Sequence, residues 1–329
     1  GCTEIIDLYP ESNLSTGVYY SNSSELRSAL NGCYFLLQKP LADEWSLTEL
    51  RSDNTLMSSP TSNAAINVEN DSSDRFFQLS THLGDFSYWR TSYNSIRAIN
   101  FFLDKLGANY NESSSSIELE SINIPISDLE RKKFISEACF LRAYSYFNLV
   151  RLYGGVLLVD EPISPDAAKT INRSSIADVY KLIETDLLFA SNNGSNNKFA
   201  SIPPTELGLA NSWSAKALLA KVYLTLNRKN DAKIKLDDII ANSGYGLQSS
   251  YANVFSIANE MNSEIIFAVR FKAGGIGLGN PLPNLFGPTA SSNTVITGGG
   301  KGYNTPTSEL IDSYESNDLR KGVNIGEFK

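Results

Sequence analysis

"EACFLRAYSYFNLVRLYGGVLLV", residues 137 to 159, is the stretch on which the fold turns. Its rings and aliphatic side chains leave almost no polar stripe, so a helix through it has no face for water. A surface helix keeps such a stripe, and one that is apolar all round is buried on every side. The run closes on Gly154-Gly155, a helix-ending pair, and a short apolar segment follows. The sequence therefore demands neighbours that enclose this helix.

Those neighbours are helices too. Residues 24 to 38, "SELRSALNGCYFLLQ", follow a Ser cap and place Leu26, Leu30, Cys33 and Leu37 on one face. Residues 86 to 106 carry a stripe through Trp89, Tyr93, Ile96, Ile99, Asn100 and Leu103. The opening helix is predicted over 128–153, and further helices over 175–191, 205–227 and 229–242. Between them, 39–82 is predicted as a long irregular loop and 111–127 as a Ser-rich one. Beyond Asn242, "SEIIFAVRF" (263 to 271) is the best strand candidate, and 273–307 is rich in Gly, Pro and Asn without a helical period.

The helices pair as hairpins. Ala220, Tyr223, Ala232, Leu236 and Ile239 reproduce the small–aromatic, small–large–small offsets of tetratricopeptide units, and Ala143 with Tyr146 repeats the first half. The expected fold is all-α, a tetratricopeptide-like stack of helical hairpins with long loop insertions and an irregular C-terminal part. One domain over 1–329 is expected, with a helical scaffold at 24–245 and an irregular, ligand-facing part at 246–329. A helix stacked between repeats and covered by an added layer is buried all round.

Composition excludes several functions. The chain of 329 residues has 28 Lys and Arg against 36 Asp and Glu, a net charge of −8. A nucleic-acid partner needs a basic footprint and is not expected. The one His, His82, stands at a loop-to-helix junction where a solvated ring is expected, so no Ser-His-Asp or Cys-His centre is assigned. Cys33 and Cys139 fall in apolar helical patterns and read as buried thiols; no CxxC or HExxH supplies a metal site. "TGGGKGY" (297 to 303) lacks the Ser or Thr after its Lys that a phosphate loop requires. The 36 acids single out no carboxylate pair. No catalysis, metal or cofactor is expected.

Six blocks carry a resemblance. "EACFLRAYSYFNLVRLYGGVLLVDEPI" resembles the E-A-x-F-x-R-A-x-x-Y-F-x-L-V-x-x-[YF]-G-x-[VI]-P-L signature of the SusD/RagB family, departing at Leu157, where that family commonly has Pro. "WRTSYNSIRAIN", "NRSSIADVYKLIETDLLFA", "ANSWSAKALLAKVYLTLNR" and "NSEIIFAVRF" are similar to neighbouring blocks of the same family. "GCTEIIDLYP" resembles the mature start of its lipoproteins, although a cloning remnant gives the same first two letters. The family's later R-Y-x-D-x-L-L-x-x-A-E and L-N-x-[IV]-R-x-R-A-G segments are not found, and truncation of a longer chain is expected.

The resemblance implies an outer-membrane lipoprotein, anchored through Cys2, that captures oligosaccharides and sits as a lid on a SusC-like TonB-dependent transporter barrel. Glycan capture needs rings to stack on sugar C–H faces and planar polar groups for the hydroxyls. Trp45 is the one Trp outside the family's helix blocks, with Asp53, Asn54 and Arg75 as nearby polar groups; Trp89 and Trp213 read as core. Phe76, Phe77, Phe286 and Tyr303 are the rings on candidate outer loops. The segments 39–82 and 273–307 are expected to converge on one ligand face. Peptide capture on the same fold and a plain protein-binding helical scaffold are the alternatives.

Overall fold

The computed structural model describes residues 20–57, 67–289 and 292–326; Cys2 lies outside them. In chain order the chain forms α1 (Ser23–Leu36), α2 (Gln38–Leu47), β1 (Thr55–Leu56), α3 (Val68–Asp74) and α4 (Leu83–Lys105). Then come β2 (Ala108–Asn111), β3 (Ser116–Leu119), α5 (Asp128–Tyr153), α6 (Pro165–Ala168), α7 (Ile176–Asn193), α8 (Ser212–Thr225) and α9 (Lys229–Asn242). Short elements follow: α10 (Tyr251–Val254), α11 (Leu282–Phe286), α12 (Ser292–Val295), β4 (Thr305–Pro306), α13 (Ser308–Ser313) and α14 (Lys321–Asn324). The fold is mainly helical, as expected. Among the described residues no helix is long and apolar enough to cross a membrane.

Contacts divide the chain into two compact units. Residues 1–35, 96–196 and 210–236 form the first, and 36–95, 197–209 and 237–329 the second, as far as they are described.

In the first unit α5 is the centre. Ser127 caps it, its hydroxyl accepting from the Glu130 amide, and from Phe134 to Val150 every residue but Tyr144 is buried. α7, capped by Ser175, packs along α5, and α8 lies against both. Two polar networks, one part-buried and one fully buried, pin the faces that carry no grease. Glu137 accepts both ends of the Arg27 guanidinium at 2.8 and 2.7 Å and the Tyr34 hydroxyl at 2.8 Å. On another face Arg142 donates Nε and Nη2 to Asp186 at 2.8 Å each, and Nη1 to Asn100 and to the carbonyl of Asp160. Burial works against the Arg142 charge, but the Asp186 carboxylate outweighs it and holds the guanidinium above its ordinary pKa.

Gly154 and Gly155 do separate jobs. Gly154 ends α5 in the left-handed region at φ +71°, and a Cβ on Gly155 would stand 2.5 Å from the Ser174 carbonyl. The run after them then folds back on α5, where the Tyr146 hydroxyl accepts from the Val159 amide at 2.7 Å and donates to its carbonyl at 2.9 Å. Cys33 and Cys139 are buried, and burial pushes the Cys33 thiol up to about 12 and Cys139 well above its ordinary value.

Several elements differ from their sequence reading. The 39–82 segment is no plain loop: it holds α2, a 3-10 turn at Glu49–Arg51, β1 and α3. Its helices escape detection because Pro40 sits in the first turn of α2, where it is tolerated, and "VENDSSD" has no apolar period. The Ser-rich 111–127 region contributes β3 of a hairpin, with Asn111 paired to Ser116. "SEIIFAVRF" forms no strand among the described residues, since a strand exists only where another accepts its ladder. α8 begins at Ser212 rather than at 205, where Asn211 and Ser214 form a reciprocal capping box. In the repeat pattern, Ala220, Tyr223, Ala232 and Ile239 are buried but Leu236 is 38% exposed.

Candidate functional site

The second unit brings the two long polar segments together. β1 pairs antiparallel with β4, Thr55 opposite Pro306 and Leu56 opposite Thr305. Thr307 extends the junction, its amide donating to the Asn54 carbonyl at 2.9 Å and its hydroxyl to the Asp53 carbonyl at 3.1 Å. The backbones of Asp53 and Asn54 are thereby fixed while both residues stay exposed.

Beneath this junction lies a small apolar core. Trp45, Leu50, Met57 and Tyr303 are its buried members, with Leu282, Leu285 and Phe286 packed against it. The Phe286 ring meets Trp45 edge-on at 5.2 Å, and Tyr303 lies nearly parallel to Trp45 at 6.4 Å. Trp45 and Tyr303 are each only 8% exposed, so neither offers the open stacking face expected of it. The rings bury apolar area and tie segments distant in sequence to one another, a packing role that loop aromatics also fill. Phe286 is half-buried against the same cluster.

The Gly-rich "TGGGKGY" belongs to the same construction. Lys301, Gly302 and Tyr303 donate their amides to the carbonyls of Asn284, Gly287 and Leu285, laying this run alongside α11. A Cβ on Gly300 would stand 2.0 Å from the Gly287 carbonyl oxygen, closer than any side chain tolerates. The glycines permit backbone to lie on backbone and deliver Tyr303 to its slot.

Among the surfaces the unit presents to solvent is the turn after α3. Asn67 caps α3, accepting from the Asn70 amide, and the helix ends with Phe76 in the left-handed region at φ +59°. Gly is the usual residue there, and a ring-bearing side chain costs roughly 1–2 kcal/mol. Phe76 is 61% and Phe77 76% exposed. Arg75 is exposed and pairs with Asp71 at 3.0 Å. Arg51, from the 3-10 turn, lays its guanidinium over the Phe76 ring at 5.3 Å.

His82 fixes this turn from below, and it is buried rather than solvated as expected. Its Nδ1 accepts from the Asp85 amide at 3.1 Å, which leaves Nε2 to donate to the Glu69 carbonyl at 2.9 Å. The Ser73 hydroxyl lies 3.3 Å from Nε2. Both ring nitrogens are thus satisfied by α3 and the start of α4, so burial costs the ring no lost partner. Nothing in the sequence near position 82 shows Glu69 as a neighbour. Arg51 was missed for the same reason: its ring partner lies 25 positions away in the chain. Among the described residues no three His, Cys, Asp or Glu side chains gather as a metal ion requires.

The structure is a mainly helical fold whose second unit carries an exposed turn with two rings. A family model described as SusD-like, starch-binding and associating with the outer membrane matches residues 24–224. The chain belongs to this SusD-like family. It is 24% identical over 304 residues to SusD-like protein P25 of Formosa agariphila, covering 87% of this chain and 53% of that relative. A solved laminarin-binding SusD-like protein is 25% identical, superposes with a TM-score of 0.74, and is matched over 89% of this chain and 64% of its own. Surface glycan-binding protein A of Bacteroides thetaiotaomicron, solved with laminarihexaose, shares the fold at 16% identity and a TM-score of 0.73, over 91% of this chain and 62% of its own. The chain thus spans about half the length of the curated relative and under two thirds of the solved ones.

Proposed function

We propose that this protein captures oligosaccharides at the cell surface, without catalysis, and passes them to a SusC-like TonB-dependent transporter in the outer membrane. The observation that carries the reading is the Phe76–Phe77 turn: two adjacent rings held out in solvent, one in a strained backbone conformation. Unoffset strain of this kind is retained where a site needs it. Asp53, Asn54 and Arg75 supply exposed polar groups for hydroxyls on the same unit. The solved laminarin-binding relative supports a glycan as ligand.

Calorimetry with laminarihexaose is the test. Removing a ring that stacks on sugar weakens binding by roughly 1–3 kcal/mol, the worth of burying one aromatic side chain. Phe76→Ala and Phe77→Ala should each show this loss, while Trp45→Ala should act through stability instead. If both turn variants bind as the parent does, the capture site is elsewhere.

Anchoring through Cys2 and hand-over to the barrel form the membrane part of the proposal. The family description, which places its members with the outer membrane, supports it. Protein purified from native outer membranes in mild detergent should carry fatty acid on Cys2 and bring a barrel transporter with it. Lipid-free protein that comes away alone removes this part.

A further inference from the structure

Five arginines of this acidic chain are neutralised. Arg27, Arg75, Arg142, Arg228 and Arg320 each hold a carboxylate. Arg51 is different. Glu49 and Asp53 stand two positions away on either side of it in the chain, yet no carboxylate among the described residues pairs with its guanidinium. It lies instead over Phe76. Arg90 over Phe86, Arg97 over Phe101 and Arg151 over Phe147 are further such pairs. Each of these is four apart on one helix, a spacing that brings any such neighbours together. The Arg51–Phe76 pair is not local: it joins two elements and uses the strained residue.

We propose that the Arg51–Phe76 pair selects an acidic sugar, one bearing a carboxylate or a sulfate. This rests on the glycan-capture function above and names its ligand class. A guanidinium presents a planar fork of donors that matches a carboxylate or sulfate oxygen pair, and its weak hydration makes it easily stripped of water. Neutral hydroxyls are served as well by amides and need no charge. The exposed Phe76 ring packs against the sugar while the Arg51 guanidinium reaches the anionic substituent. A cation seated on a ring also lends it positive charge in a protein whose net charge of −8 would otherwise repel such a ligand.

The test compares three probes of similar length by calorimetry on the full chain: laminarihexaose, an oligogalacturonate and a sulfated galactan oligosaccharide. At low salt one acidic probe should bind about tenfold or more tightly than the neutral one, the worth of one charge-assisted contact. Which acidic probe wins distinguishes carboxylate from sulfate. Salt near 150 mM should shrink the advantage, since the screening length falls to about 8 Å. Arg51→Gln should bring the acidic-to-neutral ratio toward one, and Arg51→Lys should retain part of it. If laminarihexaose binds as tightly as both acidic probes, or the ratio survives Arg51→Gln, the acidic-sugar assignment is overturned while glycan capture stands. Binding of none of the three removes glycan capture and the assignment together.

Discussion

Replacing Asp186 by Asn should cost about 3–5 kcal/mol of folding stability. Asp186 and Arg142 are both fully buried, and the carboxylate takes two of the guanidinium's donors at 2.8 Å each. Asn keeps the shape and loses the charge, so the Arg142 cation is left uncompensated. Arg cannot escape by giving up its proton, as a buried Lys would. The remaining partners, the Asn100 amide oxygen and the Asp160 carbonyl, are neutral acceptors already in use. The loss is a penalty of breaking the pair and says little of the pair's own worth: replacing both residues by apolar ones of similar volume is often neutral or stabilising. The double replacement Arg142→Met with Asp186→Leu should therefore recover much of the deficit. Urea unfolding of the two variants against the parent gives the numbers. A loss below about 1 kcal/mol for Asp186→Asn would mean that water reaches the pair.

The same pair shows what a sequence can and cannot disclose. Residues 137–159 announce a helix enclosed on all sides, because apolar side chains at every angle of the helix have no other use. Which face of α5 meets which neighbour is not written there. Glu137 and Arg142 belong to a recognisable signature, but their partners Arg27, Tyr34, Asn100 and Asp186 are 42 to 110 positions away. Local spacing decides helix boundaries, and it does so well where a Ser caps an apolar period, as at Ser127 and Ser175. It fails at α3, whose polar sequence forms a helix through its cap and its tertiary packing.

The candidate site was legible in part. Ring-bearing segments at 39–82 and 273–307 stood out by length and polarity, and β1 and β4 do join them. The fate of each ring was not legible. Trp45 and Tyr303 share their surroundings in composition with Phe76 and Phe77, yet the first two are buried and the last two exposed. The difference comes from backbone geometry: Gly300 allows the close approach that seats Tyr303, and the left-handed residue at 76 turns its ring outward. A left-handed Phe is visible only once φ is known, because residue type alone predicts Gly there.

Leu149→Ala should cost about 2–5 kcal/mol, the range for truncating a buried Leu whose surroundings relax only in part. Leu149 has no exposed area, and its neighbours in α5, Tyr146 and Val150, are buried as well. Tyr146 is held at both faces of Val159 by hydrogen bonds, so it has little freedom to swing into the vacated space. A site that cannot collapse keeps its cavity, and the loss should fall in the upper half of the range. Leu236→Ala is the control. It is the same substitution on a helix, but the side chain is 38% exposed, and the loss should be under about 1 kcal/mol, as for surface changes generally. Denaturant unfolding of both variants against the parent reads the difference. Equal losses at the two positions would mean that α5 is not the enclosed helix its sequence demands, and that the apolar run at 137–159 faces something other than this fold.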